Sequence, residues 1–281
     1  MTKVAAVIVT YNINEKINAV CEAVIRQVDK VIVVDNGSKL ETVELLNNLQ
    51  KQFNKIELIL NKENQGISKA LNLGVKKALE IGFDFIMTLD HDSILKEDVV
   101  SKLLNSYYLM KENKEIGIVS PAIYDINKKD YLGSININEE NQFIDEPIQS
   151  GSLIKREVFE KIGYFNEELV IYYVDTEFCY RAKKAKFKFL QCNNTCLYHE
   201  EGKKSEVRLL GKKIYYQNYS EFAIYYRARN YVYMMKNYYE LFSSKDRIIK
   251  DFIKILAFDK KRVNSLKAHL KGFYDGIRIF K

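Results

Sequence analysis

The decapeptide FDFIMTLDHD, residues 83–92, is the stretch from which the fold can be inferred. Its apolar run predicts a strand buried within a sheet, and Asp90 and Asp92 follow at the carboxyl end of that strand. Because side chains alternate along an extended chain, the two carboxylates are expected to point to opposite sides. One would hold a divalent cation that neutralises a departing diphosphate, while the other would face a sugar hydroxyl. Two aspartates at this spacing also occur in ordinary turns, so the neighbouring sequence must distinguish a binding site from a turn.

Three further apolar runs precede this strand and predict a parallel sheet. They are Val4–Val9, Lys30–Val34 and Ile56–Leu60. The segments between these strands predict helices, which are expected up to about residue 27, at 41–53 and at 67–81. Strands that alternate with helices form mostly parallel sheets with right-handed crossovers.

A polar cluster follows each of the four predicted strands. The clusters are Thr10–Asn12, Asp35–Ser38, Asn61–Gly66 and Asp90–Asp92. In such a sheet the ligand lies outside the carboxyl ends of the strands, so we expect a nucleotide-sized site there. The first loop has no glycine, and the chain has no glycine-rich phosphate loop of either common kind. Phosphates are therefore expected to be held by a metal and by side chains.

The sequence after Asp92 follows a less regular pattern. We expect strand at 116–118 and at residue 123, a polar excursion at 132–146, a small-residue strand at 149–154 and a short helix at 158–162. Gly151 and Ser152 belong to the small-residue strand, where a ligand can approach the backbone closely. Asp175 and Glu177 then stand in the first turn of a predicted helix. They either complement the helix dipole or include a general base.

Three residues near position 195 raise the question of a metal. Cys192, Cys196 and His199 lie close together in sequence, but a structural zinc site needs a fourth ligand and none is nearby. His199 is instead a candidate metal or diphosphate contact, or an ordinary histidine. With four irregularly spaced cysteines there is no disulfide framework, which favours a reducing cytoplasm. Neither a signal-peptide pattern nor an apolar run near the ~18 residues of a membrane span is present.

Charge is distributed unevenly along the 281 residues. Residues 1–200 carry 25 basic and 29 acidic side chains, whereas residues 201–281 carry 19 and 8. A basic end on a mildly acidic body suggests an anionic partner. Five apolar residues between 248 and 256, with Lys250 and Lys254 among them, form an amphipathic segment. That segment predicts either a helix on the cytoplasmic membrane surface or one packed on the catalytic domain.

Several motifs in order resemble one known family. They are Val-Thr-Tyr-Asn at 9–12, Val-Asp-Asn-Gly-Ser at 34–38, Asn64-x-Gly66 with Ala70-x-Asn72-x-Gly74, and Leu-Asp-His-Asp-Ser at 89–93. This series resembles the family-2 glycosyltransferases of the GT-A fold. Ser-Gly-Ser-Leu-Ile at 150–154, Tyr-Val-Asp-Thr-Glu-Phe-Cys-Tyr-Arg at 173–181 and Arg229-Asn230 are similar to the bacterial rhamnosyltransferase branch. The resemblance runs from residue 4 to about residue 230, and more loosely to 271–276.

The resemblance implies a role for each matching residue. Those implied for the nucleotide and donor sugar are Thr10, Tyr11, Asn12, Asp35, Asn36, Asn64, Gly66, Lys69, Asp90 and Arg229. Asp92 and His199 are implied as metal ligands and Asp175 as the catalytic base. Gly151, Ser152 and Glu177 are expected on the acceptor side. Where the family usually has Glu-Asp, this chain has Val174-Asp175, so Glu177 competes with Asp175 for the role of base.

The resemblance also implies an activity. The expected fold is α/β of GT-A type, with a mostly parallel sheet flanked by helices and a helical C-terminal extension. The expected domains are a catalytic domain at 1–230, divided at residue 95 into nucleotide and acceptor halves, and a basic extension at 231–281. We expect a Mg²⁺- or Mn²⁺-dependent inverting enzyme that moves L-rhamnose from dTDP-rhamnose to a lipid-diphosphate-linked saccharide of a cell-surface polysaccharide.

Alternatives stay open at this point. The donor could be a UDP-sugar that carries galactose, galactofuranose, glucose or an N-acetylhexosamine. A nucleotidyltransferase would use the same carboxylates and metal but release pyrophosphate. A tyrosine-rich nucleic-acid-binding module would show salt-sensitive binding and would need neither Asp90 nor Asp92. Neither of these last two classes accounts for the ordered motifs, so no nucleic-acid partner is expected.

Overall fold

The computed structural model describes residues 2–110, 115–133, 135–136, 138–200, 204–209, 212–217 and 219–280. The chain divides into two compact units. The first contains Met1–Glu167 and Arg181–Glu201, and the second contains Glu168–Tyr180 and Gly202–Lys281. The predicted boundary at residue 230 stays a prediction. None of the described helices is both long enough and apolar enough to cross a membrane.

Four parallel strands form one half of the main sheet in the first unit. They are β1 (Val4–Thr10), β2 (Lys30–Asp35), β3 (Ile56–Leu60) and β4 (Phe85–Asp90), in the spatial order β3-β2-β1-β4. All seven residues of β1 are buried, as expected for a central strand between two helical layers. The connecting helices are α1 (Lys16–Ile25), α2 (Leu40–Gln52) and α3 (Ile67–Ile81). These elements confirm the predicted alternation of strands and helices.

The register of this half aligns the polar strand ends. Thr10 of β1 pairs with Asp35 of β2, and Val9 of β1 pairs with Asp90 of β4. Gly74 brings α3 close to β1, because a Cβ atom at residue 74 would lie 2.4 Å from Cγ1 of Val7. Close packing of the helix on the strand thus fixes where the strand ends lie.

The other half of the sheet is mixed. It contains β5 (Ile94–Leu95), β6 (Ile116–Asp125), β7 (Asp130–Leu132), β8 (Asn141–Ile144), β9 (Leu153–Lys155) and β10 (Lys188–His199). β10 runs parallel to β6, while β9 joins β4 to β6 by antiparallel pairing. Helices α4 (Val99–Met110) and α5 (Arg156–Ile162) complete the unit. The predicted α/β class with a helix-flanked, mostly parallel sheet is confirmed, and the short strands supply its antiparallel part.

Two local predictions in this half were wrong and a third was confirmed. The polar excursion at 132–146 contains β8, which pairs antiparallel with β10, because pairing with a central strand outweighs low strand propensity. The small-residue strand is shorter than predicted and begins at Leu153. The predicted strand positions 116–118 and 123 are confirmed, since all of them lie in β6. This strand continues through Pro121, which lies where the register of β10 shifts between Cys192 and Cys196. A proline is tolerated in a strand beside such an irregularity.

The second unit is mainly helical. It holds the hairpin of β11 (Lys204–Leu209) and β12 (Lys212–Gln217), and the helices α7 (Glu221–Tyr238), α8 (Arg247–Phe258) and α9 (Arg262–Ile279). Helix α6 (Val174–Lys184) begins in this unit and ends in the first. A cluster of six buried side chains, Tyr180, Tyr231, Val232, Met234, Tyr238 and Phe242, forms its core. The predicted helical C-terminal extension is confirmed.

Two glycines bring α9 onto α7. A Cβ atom at Gly272 would lie 2.2 Å from the carbonyl oxygen of Tyr225, and one at Gly276 would lie 2.7 Å from that of Arg229. The two glycines are four residues apart and so share one face of the helix. No larger residue fits at either position without moving the two helices apart.

Candidate active site

The ends of β1 and β2 form a hydrogen-bonded cluster around one carboxylate. Asp35 is 1% exposed and accepts hydrogen bonds from the Thr10 hydroxyl at 3.1 Å and from the Ser38 hydroxyl at 2.5 Å. The backbone N–H of Ser38 donates to the second oxygen of Asp35 at 2.9 Å. Ser38 in turn accepts the backbone N–H of Asn12 at 2.7 Å. The two loops are therefore held together before any ligand binds.

A second network joins the loops after β2 and β3. The side-chain amide of Asn36 donates to Oδ1 of Asn64 at 3.0 Å and to the carbonyl of Gly66 at 3.1 Å. Gly37 has φ +79°, and a Cβ atom there would lie 2.4 Å from the backbone carbon of Glu63, so only glycine fits. Lys69 is exposed in the first turn of α3. The sequence predicted that these positions meet, and the structure brings Asn36, Asn64 and Gly66 into direct contact.

Two aspartates and a histidine converge beyond the end of β4. Asp90, Asp92 and His199 are partly buried, and one potential ligand atom from each lies within 4.8 Å of those from the other two. The prediction that the carboxylates of Asp90 and Asp92 point to opposite sides was wrong. The strand ends at Asp90, and a turn closed by the N–H of Ser93 on the Asp90 carbonyl at 3.3 Å brings Asp92 back.

Polar contacts fix two members of this Asp–Asp–His group. Gln149 Nε2 donates to Oδ1 of Asp90, whose own N–H donates to the Ser150 hydroxyl at 3.0 Å. Nδ1 of His199 lies 3.0 Å from the Ser93 hydroxyl. A hydrogen bond on one ring nitrogen is the usual way to orient a metal-binding imidazole. Gln149, Ser150 and Ser93 were missed as supporting residues. The signal for Gln149 and Ser150 was the small-residue run at 149–152, and that for Ser93 was its place in the motif at 89–93.

The donor set fits a hard divalent cation. Two carboxylates and one imidazole suit Mn²⁺ or Mg²⁺, whereas thiolate ligands favour zinc. Burial raises the pKa of the Cys192 and Cys196 thiols above its ordinary value, which disfavours the thiolate form that binds metal. Within the described residues, His199 thus groups with carboxylates rather than with these cysteines. The metal role of Asp92 and His199 stays a prediction, and the group adds Asp90 as a third candidate ligand.

Gly151 and Ser152 lie beside this group, in the turn that leads into β9. The N–H of Gly151 donates to the Thr88 carbonyl at 2.8 Å, and Gly151 has φ +80°. The Ser152 hydroxyl donates to the Ile148 carbonyl at 2.5 Å. Both residues are buried, so their visible contribution is to shape the backbone that carries Gln149 and Ser150. Their role in acceptor binding stays a prediction.

The first turn of α6 carries the other two predicted carboxylates. Asp175 is partly buried, its Oδ1 accepts the N–H of Thr176 at 2.9 Å, and burial raises the pKa of its carboxyl above the ordinary value. Glu177 is 1% exposed, and its Oε1 accepts a hydrogen bond from the hydroxyl of Tyr238 at 2.8 Å. Asp175 therefore has the more accessible carboxylate of the two.

The segment that leads into α6 has an unusual backbone. Val170, Tyr172 and Tyr173 have φ values of +43°, +65° and +61°, a region that residues with a side chain rarely adopt. The buried side-chain amide of Asn230 donates to the carbonyl of Leu169 at 2.7 Å. It also donates to the carbonyls of Ile171 and Tyr172, at 2.8 and 3.1 Å.

Arg229 lies beside Asn230 and is largely buried. Its guanidinium is stacked 4.7 Å from the ring centre of Tyr226 and 5.3 Å from that of Phe280. It donates to the side chain of Asn230 at 2.9 Å and to the carbonyl of Glu168. Sequence reading predicted a donor contact for Arg229, and that role stays a prediction. The structural role of Asn230 was missed, because it depends on carbonyl groups about sixty residues away.

Comparison with known proteins identifies relatives over nearly the whole chain. The model of the family described as glycosyl transferase family 2 matches residues 5–174. The chain is 32% identical to the dTDP-rhamnosyl transferase RfbF of Shigella flexneri, with 99% of this chain and 96% of that protein covered. It is 24% identical to the low-salt glycan biosynthesis hexosyltransferase Agl10 of Haloferax volcanii, over 97% and 90% of the two chains.

Solved structures share the fold at lower identity. GalNAc-T7, crystallised with UDP, GalNAc and Mn²⁺, matches with a TM-score of 0.64 and 15% identity over 99% of this chain and 56% of its own. S. aureus TarS 1–349 in complex with UDP-GlcNAc matches with a TM-score of 0.58 and 16% identity over 99% and 81% of the two chains. These likenesses confirm the predicted GT-A type fold.

Proposed function

The chain belongs to glycosyl transferase family 2, and from that premise we propose that it transfers L-rhamnose from dTDP-rhamnose to a saccharide acceptor with inversion. The convergence of Asp90, Asp92 and His199 beyond the strand ends supports the transfer chemistry, because these side chains would hold the metal of a nucleoside diphosphate there. The 32% identity to a dTDP-rhamnosyl transferase, over 99% of this chain, supports rhamnose as the sugar.

The hydrogen-bonded group of Thr10, Asn12, Asp35 and Ser38 at the ends of β1 and β2, which we call the strand-end cluster, would bind the nucleotide. Asp35 and Asn36 are held in place by side-chain hydrogen bonds, so they would accept and donate to the base and ribose with little reorganisation. Tyr11 is 45% exposed and offers a ring for stacking on the base. Thr10, Asn12, Asn64 and Gly66 would keep the loops in place, and Lys69 and Arg229 would contact the donor phosphates.

Asp90, Asp92 and His199 would hold the divalent cation. When bound, Mg²⁺ or Mn²⁺ supplies charge that stabilises a leaving diphosphate. Gln149 and Ser93 would keep Asp90 and His199 in orientation for that ion. Asp90 was predicted to contact the ribose or sugar, and the geometry supports metal ligation as well.

Asp175 would take the proton from the acceptor hydroxyl. Its raised pKa suits a general base, because a stronger proton acceptor helps the hydroxyl to attack. Glu177 is the weaker candidate, since its carboxylate is buried and bonded to Tyr238. We retain Glu177 with Gly151 and Ser152 on the acceptor side. The acceptor would be a lipid-diphosphate-linked saccharide at the inner face of the plasma membrane.

A donor panel tests this proposal. Release of nucleoside diphosphate would be measured from dTDP-rhamnose and from UDP- and GDP-sugars, with and without Mn²⁺, in the presence of a lipid-linked saccharide extract. We expect metal-dependent turnover of dTDP-rhamnose that Asp92→Asn lowers by at least about a hundredfold. Glu97→Gln, which changes an exposed carboxylate near the same turn, is the matched control.

The outcomes of the panel separate the alternatives. Preference for a UDP-sugar would keep the enzyme class and overturn the donor. Turnover that is unaffected by both chelation and Asp92→Asn would overturn the metal role. Family membership gives no support to a nucleotidyltransferase or a nucleic-acid-binding module.

A further inference from the structure

Helix α8 exposes an apolar stripe. Ile249, Phe252, Ile253 and Leu256 follow the spacing i, i+3, i+4, i+7 and so lie on one face, and each is exposed, with Ile249 at 62% and Ile253 at 56%. The other side of α8 is anchored in the second unit, where Ile255 is buried and Asp251 is bonded to Arg227 at 2.8 Å. The apolar stripe is therefore the outer face of a helix that is already packed.

Helix α9 continues this apolar surface. Leu270, Phe273, Tyr274 and Ile277 repeat the same spacing and are also exposed. A groove of about 260 Å³ joins the stripes, and it is lined by Ile248, Ile249, Phe252, His269, Leu270 and Phe273. We call the exposed residues Ile249, Phe252, Ile253, Leu256, Leu270, Phe273, Tyr274 and Ile277 the α8–α9 apolar face.

Cations accompany both stripes. Residues 247–280 contain nine Lys or Arg and three Asp or Glu. On α8, Lys250 and Lys254 each follow an apolar residue of the stripe. On α9, Lys271 follows Leu270 directly and Lys267 precedes it by three residues. All four lysines are exposed, and Lys250 is paired with Asp246 just before the helix.

The three acidic residues point into the unit. Asp251 is bonded to Arg227, Asp259 accepts the Tyr216 hydroxyl at 2.8 Å, and Asp275 accepts the Tyr225 hydroxyl at 2.9 Å. Their carboxylates are engaged by side chains of the unit's own core and hairpin. The charge around the apolar face is therefore predominantly positive.

We propose that the α8–α9 apolar face docks on a membrane that contains anionic lipid. An apolar face of this width with flanking lysines has the chemistry of an interfacial helix pair that lies in the plane of the headgroups. A second copy of the chain is the poorer occupant, because a two-fold pairing of this face would bring lysines against lysines. The inference deepens the proposed function, since it names the surface on which a lipid-linked acceptor would be met.

Vesicle flotation of the full chain tests the docking. Neutral phosphatidylcholine vesicles would be compared with vesicles that contain 30% phosphatidylglycerol. We expect the unaltered chain to float with the anionic vesicles. In the double variant Ile249→Gln and Ile253→Gln, partitioning onto these vesicles should fall about tenfold or more. The matched control is Leu40→Gln with Leu109→Gln, which changes two side chains that are 69% and 73% exposed on α2 and α4.

A charge variant tests the electrostatic part. Lys254→Gln with Lys267→Gln changes one exposed lysine on each helix. We expect it to weaken binding to anionic vesicles by about fivefold per lysine and to leave binding to neutral vesicles unchanged. High salt should reproduce this loss in the unaltered chain.

Three results would overturn the proposal. They are the absence of flotation with either vesicle, equal flotation of the Ile249/Ile253 variant and the unaltered chain, and a dimer in analytical ultracentrifugation that the Ile249/Ile253 variant dissociates. Calorimetric binding of dTDP to the same samples separates this failure from that of the proposed function. Binding of dTDP without binding to vesicles would refute only the docking surface. Flotation with vesicles without binding of dTDP would refute only the proposed donor.

Discussion

The strand-end cluster and the segment before α6 position their functional side chains by different means. Around Asp35, side chains from neighbouring strand ends bond to one another, and the register of β1 with β2 already places Thr10 beside Asp35. Before α6, three carbonyls of a segment with positive φ values accept hydrogen bonds from one side-chain amide, that of Asn230. The first arrangement follows from strand pairing, whereas the second includes three hydrogen bonds from one residue about sixty positions away.

The comparison shows where each region is vulnerable. The strand-end cluster distributes its support over several hydrogen bonds, so removal of one partner leaves the others. In the segment 169–172, three carbonyls accept hydrogen bonds from the side-chain amide of Asn230, and loss of that amide removes all three bonds. Positive-φ backbone costs of order 1–3 kcal/mol for each residue, so this segment is expected to rearrange when Asn230 is removed.

Asp175→Asn should give the largest effect and tests whether the two regions serve separate steps. We expect turnover to fall by about 10³-fold, because the amide cannot accept the acceptor proton. Binding of dTDP, measured by calorimetry, should stay within about twofold of the unaltered chain. Glu177→Gln is the comparison variant, and a greater loss of turnover there than in Asp175→Asn would transfer the role of base to Glu177.

Asn230→Ala should give the next largest effect. We expect a fall in turnover of about a hundredfold, because a misplaced base affects the chemical step. Affinity for dTDP should change by a much smaller factor, through the loss of the hydrogen bond that Arg229 donates to Asn230. The free energy of unfolding should fall by about 3 kcal/mol, owing to buried carbonyls without a donor. Asn237→Ala is the control, since the amide of Asn237 bonds within the same helix to the carbonyl of Tyr233. Loss of dTDP binding in Asn230→Ala would show that the regions are not independent.

The pH dependence of kcat should distinguish the strand-end cluster from the segment before α6, with a smaller change than the two substitutions above. Because the pKa of Asp175 is raised, kcat should fall about tenfold for each pH unit below that raised value, as the base becomes protonated. The protonated form is favoured in the folded chain, so the contribution of Asp175 to stability is present below its unfolded pKa and is lost as the pH rises through the folded pKa. Binding of dTDP measured over the same range should not follow this profile. A kcat that is constant down to the ordinary pKa of an aspartate would refute the assignment.

Ser38→Ala should give the smallest change. It removes one of the hydroxyl groups bonded to Asp35 and leaves Thr10 in place, so we expect the KM for the donor to rise about fivefold while kcat stays unchanged. Ser101→Ala removes an exposed hydroxyl of α4 that bonds to the Asp98 carbonyl and is the control. A fall in kcat as large as that of Asn230→Ala would show that the cluster around Asp35 is no more tolerant of a lost hydrogen bond than the segment before α6.

The difference between local and distant contacts also explains which parts of the structure could be predicted from the sequence. Strands β1 to β4 and helices α2 and α3 were located to within two residues, because their periods and polar ends are local properties. Convergence of Asp90 with Asp92 was not foreseen, because it depends on a turn that ends β4 one residue after Leu89. Gln149 and Asn230 were not recognised as supports, since each bonds to groups about sixty residues away. Pairing of β8 with β10 is non-local in the same way.

The two glycines on α9 have a consequence for how this helix can change during evolution. Gly272 and Gly276 press one face of α9 against the backbone of α7, so that face tolerates little substitution. The opposite face carries Leu270, Tyr274 and Ile277, which are exposed and whose replacement would not disturb that packing. Divergence among homologous chains should therefore be concentrated on the outer face, where a lineage could retune its surface chemistry while the helix pair beneath stays constant.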